Sequence, residues 1–231
     1  MSRKPNPLLS TLGLKTAMAL TGLALFGFVV AHLLGNLQVY AGPERLNAYA
    51  ASLQALGPIL WVLRGGLLVV LVVHVSCAVA LTLRNRAARP EAYVGMKPQV
   101  TTYAARTMLM SGIVVLVYVA FHLLHFTVGA IQHAHWALTD AKGRHDVYAM
   151  VVLGFRDAPT VLVYVLAQAL LCLHLSHGAS SAFQSLGVTH PRLAFLKEGF
   201  GKAVAVAIFA GNVSIPLACL AGWVPVPGGV R

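Results

Sequence analysis

Residues 15–36 read KTAMALTGLALFGFVVAHLLGN, an apolar run with one charge at its start and a histidine, His32, near its end. At a rise of 1.5 Å per residue, about 20 such residues cross a bilayer. Ninety residues later, 107–125 read TMLMSGIVVLVYVAFHLLH. The two stretches align, Thr21-Gly22 over Ser111-Gly112 and His32-Leu33-Leu34 over His122-Leu123-Leu124. An ionisable side chain inside a membrane costs several kcal/mol and is a functional-site hypothesis by default. Two in matching frames point to a pair acting on one object.

Working outward, the pattern recurs. The 231 residues are 58% hydrophobic and 10% charged, with mean hydropathy +0.76. That composition predicts an all-α polytopic membrane protein, a single domain over 1–231, and leaves no polar stretch long enough for a separate soluble domain. Five spans are expected, at about 15–37, 60–83, 106–130, 159–183 and 200–222. A short interfacial helix is expected over 44–56, a polar loop over 84–99, and a longer loop over 131–157. The net charge of +11 does not indicate nucleic acid here, because basic residues gather in short loops to orient the helices. With the N-terminus inside, Arg3, Lys4, Lys15, Arg84, Arg86, Arg89, Lys97, Arg106, Arg192, Lys197 and Lys202 fall on the inner side. Arg45, Arg64, Lys142, Arg144, Arg156 and Arg231 fall outside, so the distribution favours a cytoplasmic N-terminus and an external C-terminus. The first apolar run is too long for a signal peptide and is expected to remain as a helix. Cys77, Cys172 and Cys219 lie in apolar segments and read as small core residues; with no C-x-x-C-H, a covalently attached haem is excluded.

Four spans carry a histidine at one depth. His32 lies 17 residues after Lys15, His122 16 after Arg106, His74 16 after Pro58 and His174 15 after Pro159. Each is about 24 Å along its helix, and because the spans alternate in direction this makes two layers roughly 18 Å apart. His32 and His122 end near the outer face, His74 and His174 near the inner one. A zinc site would want further ligands, and no carboxylate or thiolate is suitably placed. A haem iron takes two axial nitrogens, one from each side of the ring, and helix bundles hold cofactors this way. Small neighbours at Gly35, Ala78 and Gly178 suit a flat macrocycle. The alternative is that the histidines are hydrogen-bonded packing residues, which is harder to sustain for four at one depth. His125 and His177 stand one turn past two of them. The alignment favours His122 over His125, whereas spacing alone leaves His174 and His177 equivalent. Lys15 and Arg106 are candidates for contact with haem propionates or for interface anchoring. The loop histidines His133, His135, His145 and His190 read as solvated groups that are also able to carry protons.

These features resemble a known family, the five-helix dihaem cytochrome b558 subunit of succinate dehydrogenase and fumarate reductase. The resemblance spans nearly the whole chain. It rests on Lys15, Thr21-Gly22 and His32; on His74 before Arg89, Pro90 and Tyr93; on Arg106, Ser111-Gly112 and His122; and on His174-Leu-Ser-His-Gly178 running to Gln184-Ser-Leu-Gly187. It implies two b haems, His32 with His122 holding the distal one and His74 with His174 the proximal one. A histidine four residues before a glycine is the family's ligand, which selects His174. It also implies flavoprotein and iron–sulfur partner subunits at the cytoplasmic face of a bacterial inner membrane, menaquinone as electron acceptor, and no succinate chemistry in this chain itself. One departure stands out: some fumarate-reducing members carry a glutamate near the outer start of the second span, whereas here Glu44 lies well before it and Gln54 and Arg64 are the polar residues near its start. Rival readings are the reverse, fumarate-reducing direction, a cytochrome b anchor of another quinone-linked dehydrogenase, and a haem-free transporter.

Overall fold

A computed structural model describes residues 10–88, 103–188, 190–193, 195 and 199–226, the side chains of 103–106 and 191 excepted. The helices are α1 (Thr11–Asn36), α2 (Pro43–Gln54), α3 (Pro58–Ala87), α4 (Tyr103–His122), α5 (His133–Trp136), α6 (Val147–Gly154), α7 (Ala158–Ser185) and α8 (Gly201–Leu220). Five of them, α1, α3, α4, α7 and α8, are long and apolar enough to cross a membrane, which makes this an all-α, multi-pass membrane protein. The expected Arg89, Pro90 and Tyr93 loop lies outside the described residues. We call the side on which α1 begins the entry face and the side on which it ends the exit face.

Local chemistry sets the helix ends. Ser10 caps α1 by accepting from the Gly13 N–H at 3.0 Å, and Asp157 caps α7 by accepting from the Thr160 N–H at 2.9 Å. Gly42 and Gly57 take positive φ angles and are each followed by proline at the first helical position, which starts α2 and α3 after sharp turns. Trp61, Val62, Leu63, Leu68 and Val69 of α3 are exposed, as lipid-facing residues should be. At its exit-face start the Arg64 guanidinium lies 5.1 Å from the Trp61 ring centroid, a pairing suited to the lipid headgroup level.

The tightest helix packing joins α7 to α8, α1 to α3, α4 to α7, and α1 to α7. Small residues permit it: a Cβ placed on Gly201 of α8 would stand 2.8 Å from the Ala179 Cβ of α7. Polar side chains bind the same helices together. Asn212 of α8 donates to Gln168 Oε1 of α7 at 3.1 Å, and Gln168 Nε2 donates to the Tyr118 hydroxyl of α4 at 3.0 Å. Cys77 and Cys219 are buried and Cys172 half-buried, all three unbridged.

Two differences from the sequence expectation concern the exit face. The fourth helix ends as regular α-helix at His122 and continues as a π turn, Leu123–Thr127, where the Val128 N–H reaches the Leu123 carbonyl at 2.8 Å. Gly129 then stops it. Its φ is +72°, and a Cβ there would lie 2.3 Å from Trp136 Cγ, so the position admits only glycine. The long loop 131–157 contains α5 and α6, whose residues Tyr148, Ala149 and Val152 are fully buried. Together with α2 they form a cap over the exit end of the bundle.

Candidate functional site

Four of the five apolar helices, α1, α3, α4 and α7, each bring a histidine into the bundle, and these rings meet in pairs. His32 of α1 and His122 of α4 have centroids 5.8 Å apart at an interplanar angle of 88°. His74 of α3 and His174 of α7 have centroids 6.5 Å apart at 70°. These contacts link α1 with α4 and α3 with α7, which are not the helices that pack most tightly. Thr21, which touches His74, precedes His32 by eleven residues on α1, and Ser111, which touches His174, precedes His122 by eleven on α4. Both intervals put the layers about 16 Å apart along the helices.

In the entry-face layer the matching dipeptides of α1 and α4 hold the histidines of the helices beside them. The Thr21 hydroxyl donates to the Ala17 carbonyl at 2.7 Å, leaving its oxygen to accept from His74 Nδ1 at 3.3 Å. Met18 O lies 3.2 Å from the same nitrogen and can only accept, so Nδ1 of His74 carries the proton. On the other side the Ser111 hydroxyl donates to Met108 O at 3.0 Å and accepts from His174 Nδ1 at 3.3 Å. The adjoining glycines make room: a Cβ on Gly22 would stand 3.1 Å from His74 Cε1, and one on Gly112 would stand 3.3 Å from His174 Cε1. With Nδ1 protonated and bonded, each ring keeps an unprotonated Nε2.

The exit-face layer is built differently. His32 stacks on Phe28, with centroids 5.4 Å apart. His122 Nδ1 is 3.2 Å from the Tyr164 hydroxyl, which is also 3.0 Å from His125 Nδ1. His125 Nε2 in turn bonds Gln132 Oε1 at 3.0 Å, and His135 Nδ1 reaches that oxygen at 3.3 Å. Gln132 is the one non-glycine residue with positive φ among the described residues, at +54°. Such a backbone conformation costs about 1–2 kcal/mol and is retained only where the surroundings demand it. His125 is buried, stacked on Phe126 with centroids 3.9 Å apart, and both of its nitrogens are engaged, so it has no lone pair left for a ligand.

His177 lies one turn beyond His174 and faces no histidine of another helix among the described residues. Lys15 is exposed on the entry-face side of Thr21. Arg106 belongs to α4, but its side chain lies outside the described residues. A Cβ on Gly178 would meet open space, whereas one on Gly35 would stand 2.8 Å from the Tyr49 hydroxyl of α2. Of the loop histidines, His133 bonds the Gly129 carbonyl at 3.0 Å, His145 packs against Trp136, and His190 accepts from the Arg192 N–H at 3.2 Å.

The cap carries its own charged network. Glu44 of α2 is paired with Lys142 and Arg144, both at 2.8 Å, and Arg144 also meets Asp140 at 2.7 Å. Hydrogen bonds from Arg144 and then Lys142 hold the Glu44 carboxyl down at about 2. Burial raises Asp140, but bonds from the Arg144 guanidinium and the backbone N–H groups of Arg144 and Lys142 outweigh it and leave it at about 2. Beneath them the buried Asn47 donates to Asp146 at 2.9 Å and accepts from the Tyr148 N–H at 2.9 Å. Burial also lowers His145. Tyr164, Gln132 and Gln168 had no signal in the sequence, since nothing in their spacing sets them apart from other span or loop residues. Comparison of the chain with protein-family models, with curated protein sequences and with solved structures finds no match.

Proposed function

We propose that this chain is the membrane-anchor cytochrome b of a succinate:quinone oxidoreductase, passing electrons from an iron–sulfur subunit to menaquinone by way of two b haems. His32 and His122 would hold the distal haem, and His74 and His174 the proximal one. The observation that carries this reading is the facing of imidazoles in two layers, with Nδ1 of three of the four tied to a hydroxyl. Histidines that bind metal donate their other N–H to such a partner, which fixes the tautomer and orients the ring. The centroid separations of 5.8 and 6.5 Å suit a metal between two Nε2 atoms, since imidazole–metal bonds are about 2 Å long. Haem bound by two histidines supplies one-electron transfer with no axial position open to oxygen.

The residues of this chain have plain tasks in that scheme. Thr21 and Ser111 aim the entry-face imidazoles, Gly22 and Gly112 let them approach, and Tyr164 orients His122. The apolar helices exclude water, which keeps the imidazoles neutral and able to ligate. Lys15 is available at the entry face to meet a propionate. The membrane is the bacterial inner membrane, with the entry face cytoplasmic and the flavoprotein and iron–sulfur subunits docked there. Supporting that orientation, two of the basic residues on the exit face, Lys142 and Arg144, are already neutralised by Glu44 and Asp140. A reduced-minus-oxidised spectrum of the purified chain tests the reading: two b-type haems per chain are expected, and the lack of any b-type band would overturn it. Co-purification of a flavin-bearing subunit separates this assignment from a cytochrome b of another dehydrogenase, and a redox titration of the complex decides between succinate oxidation and fumarate reduction.

A further inference from the structure

Around His122 the hydrogen bonds form a sequence with only one consistent direction. Gln132 Oε1 is an acceptor without a proton, so His125 must donate to it through Nε2–H across 3.0 Å. A neutral His125 then has a lone pair on Nδ1, and the Tyr164 hydroxyl 3.0 Å away must donate to it. With its proton so directed, the Tyr164 oxygen accepts, and His122 Nδ1 at 3.2 Å is the donor. The left-handed backbone of Gln132, at φ +54°, keeps the amide at the end of this chain despite its strain.

We propose that Tyr164, His125 and Gln132 are positioning residues that fix His122 in its Nδ1–H form and set how strongly its Nε2 donates electrons, tuning the exit-face pair independently of the entry-face pair. Each bond polarises the next, so the Tyr164 oxygen accepts more strongly than an isolated phenol would. A stronger acceptor at Nδ1 makes Nε2 more electron-rich and favours the oxidised metal. The arrangement is not a proton wire. His135 Nδ1, 3.3 Å from Gln132 Oε1, also donates to it, so two donors converge on one acceptor and the sequence ends there. His32 has no hydrogen-bond partner among the described residues, so the control acts on one side of the pair only.

This inference rests on the dihaem reading, and its test separates the two. Tyr164→Phe is introduced into the full-length protein, and each haem is titrated potentiometrically in detergent, the exit-face component being the one lost in His32→Ala. At fixed ambient potential, the reduced-to-oxidised ratio of that component should rise about two- to tenfold, the range one net hydrogen bond supplies, with the other component unmoved. Gln132→Gly, which relieves the backbone while removing the amide, should shift it in the same direction but less. Tyr118→Phe is the control, because its ring lies 6.0 Å from that of His122 while its hydroxyl is occupied by Gln168; it should produce the smallest change. Two haems in the native protein with an unmoved exit-face component in Tyr164→Phe would overturn the proposal, as would equal shifts in both components or a Tyr118→Phe shift as large. A native protein without haem would instead sink the reading beneath it.

Discussion

The two histidine layers solve one problem by different means. In the entry-face layer a repeated Thr/Ser-Gly dipeptide does everything: the hydroxyl is satisfied by its own helix backbone, its oxygen holds an imidazole from the adjacent helix, and the glycine clears the ring edge. The support is short, local and the same on both sides. The exit-face layer has no such repeat. One histidine rests on Phe28, and the other depends on Tyr164 from α7, on His125 beyond the end of α4, and on Gln132 in the cap. What the difference teaches is where tuning is available. An imidazole held by its neighbour's helix backbone can change little without loss of packing, whereas an imidazole held through a chain of side chains can be adjusted one link at a time.

The comparison breaks first at the histidines of the proposed haem sites. His32→Ala and His122→Ala should each abolish the same haem, and His74→Ala and His174→Ala the other, read as halved b-type absorbance; His125→Ala should keep both, and loss of a haem there would move the helix α4 assignment. Next in size, Gly22→Leu or Gly112→Leu should displace the His74 or His174 ring and remove the entry-face haem while leaving the exit-face one in place. Loss of both haems would mean that the bundle, rather than one layer, had failed. Thr21→Val and Ser111→Ala are gentler. Each should weaken retention of the entry-face haem about 10–100-fold, the range found for partners of metal-bound histidines, as followed by haem transfer to an acceptor protein.

The smallest effect concerns the cap. Glu44 and Asp140 are held near 2, below ordinary values of 4.5 and 3.8. Because their folded values are depressed, their contribution is complete above about 4.5 and is lost as pH falls toward 2. Amide protection in α2, taken relative to the intrinsic exchange rate at each pH, should therefore fall between pH 4.5 and 2, and added salt should lessen the difference because Glu44 and Lys142 face solvent. Protection in α2 that is no lower at pH 2.5 than at pH 6, once the intrinsic pH dependence of exchange is divided out, would show that Asn47 and Asp146, not the ion pairs, hold the cap.

Much of the architecture was legible from the order of residues. Length and apolarity delimited five spans that the helices match to within a few residues, because a bilayer punishes any polar interruption and so writes its thickness into the chain. The register of Thr21-Gly22 and His32 on Ser111-Gly112 and His122 was visible too, since it recurs at a fixed interval. Its meaning was not. That each dipeptide serves the histidine of another helix depends on which helices lie side by side, and sequence spacing reports only positions along one helix.

The roles of His125 and Gly35 show the same limit. By periodicity His125 was a second candidate beside His122, and only its two engaged nitrogens set it apart. Gly35 looked like room for a flat ring and instead admits Tyr49 from α2. Sequence alone thus determined membrane class and number of spans, which follow from hydropathy and a rise of 1.5 Å per residue. Tertiary structure decided which rings face each other, which nitrogen His74, His122 and His174 present and how the cap supports His122, because hydrogen bonds between helices obey no period along the chain.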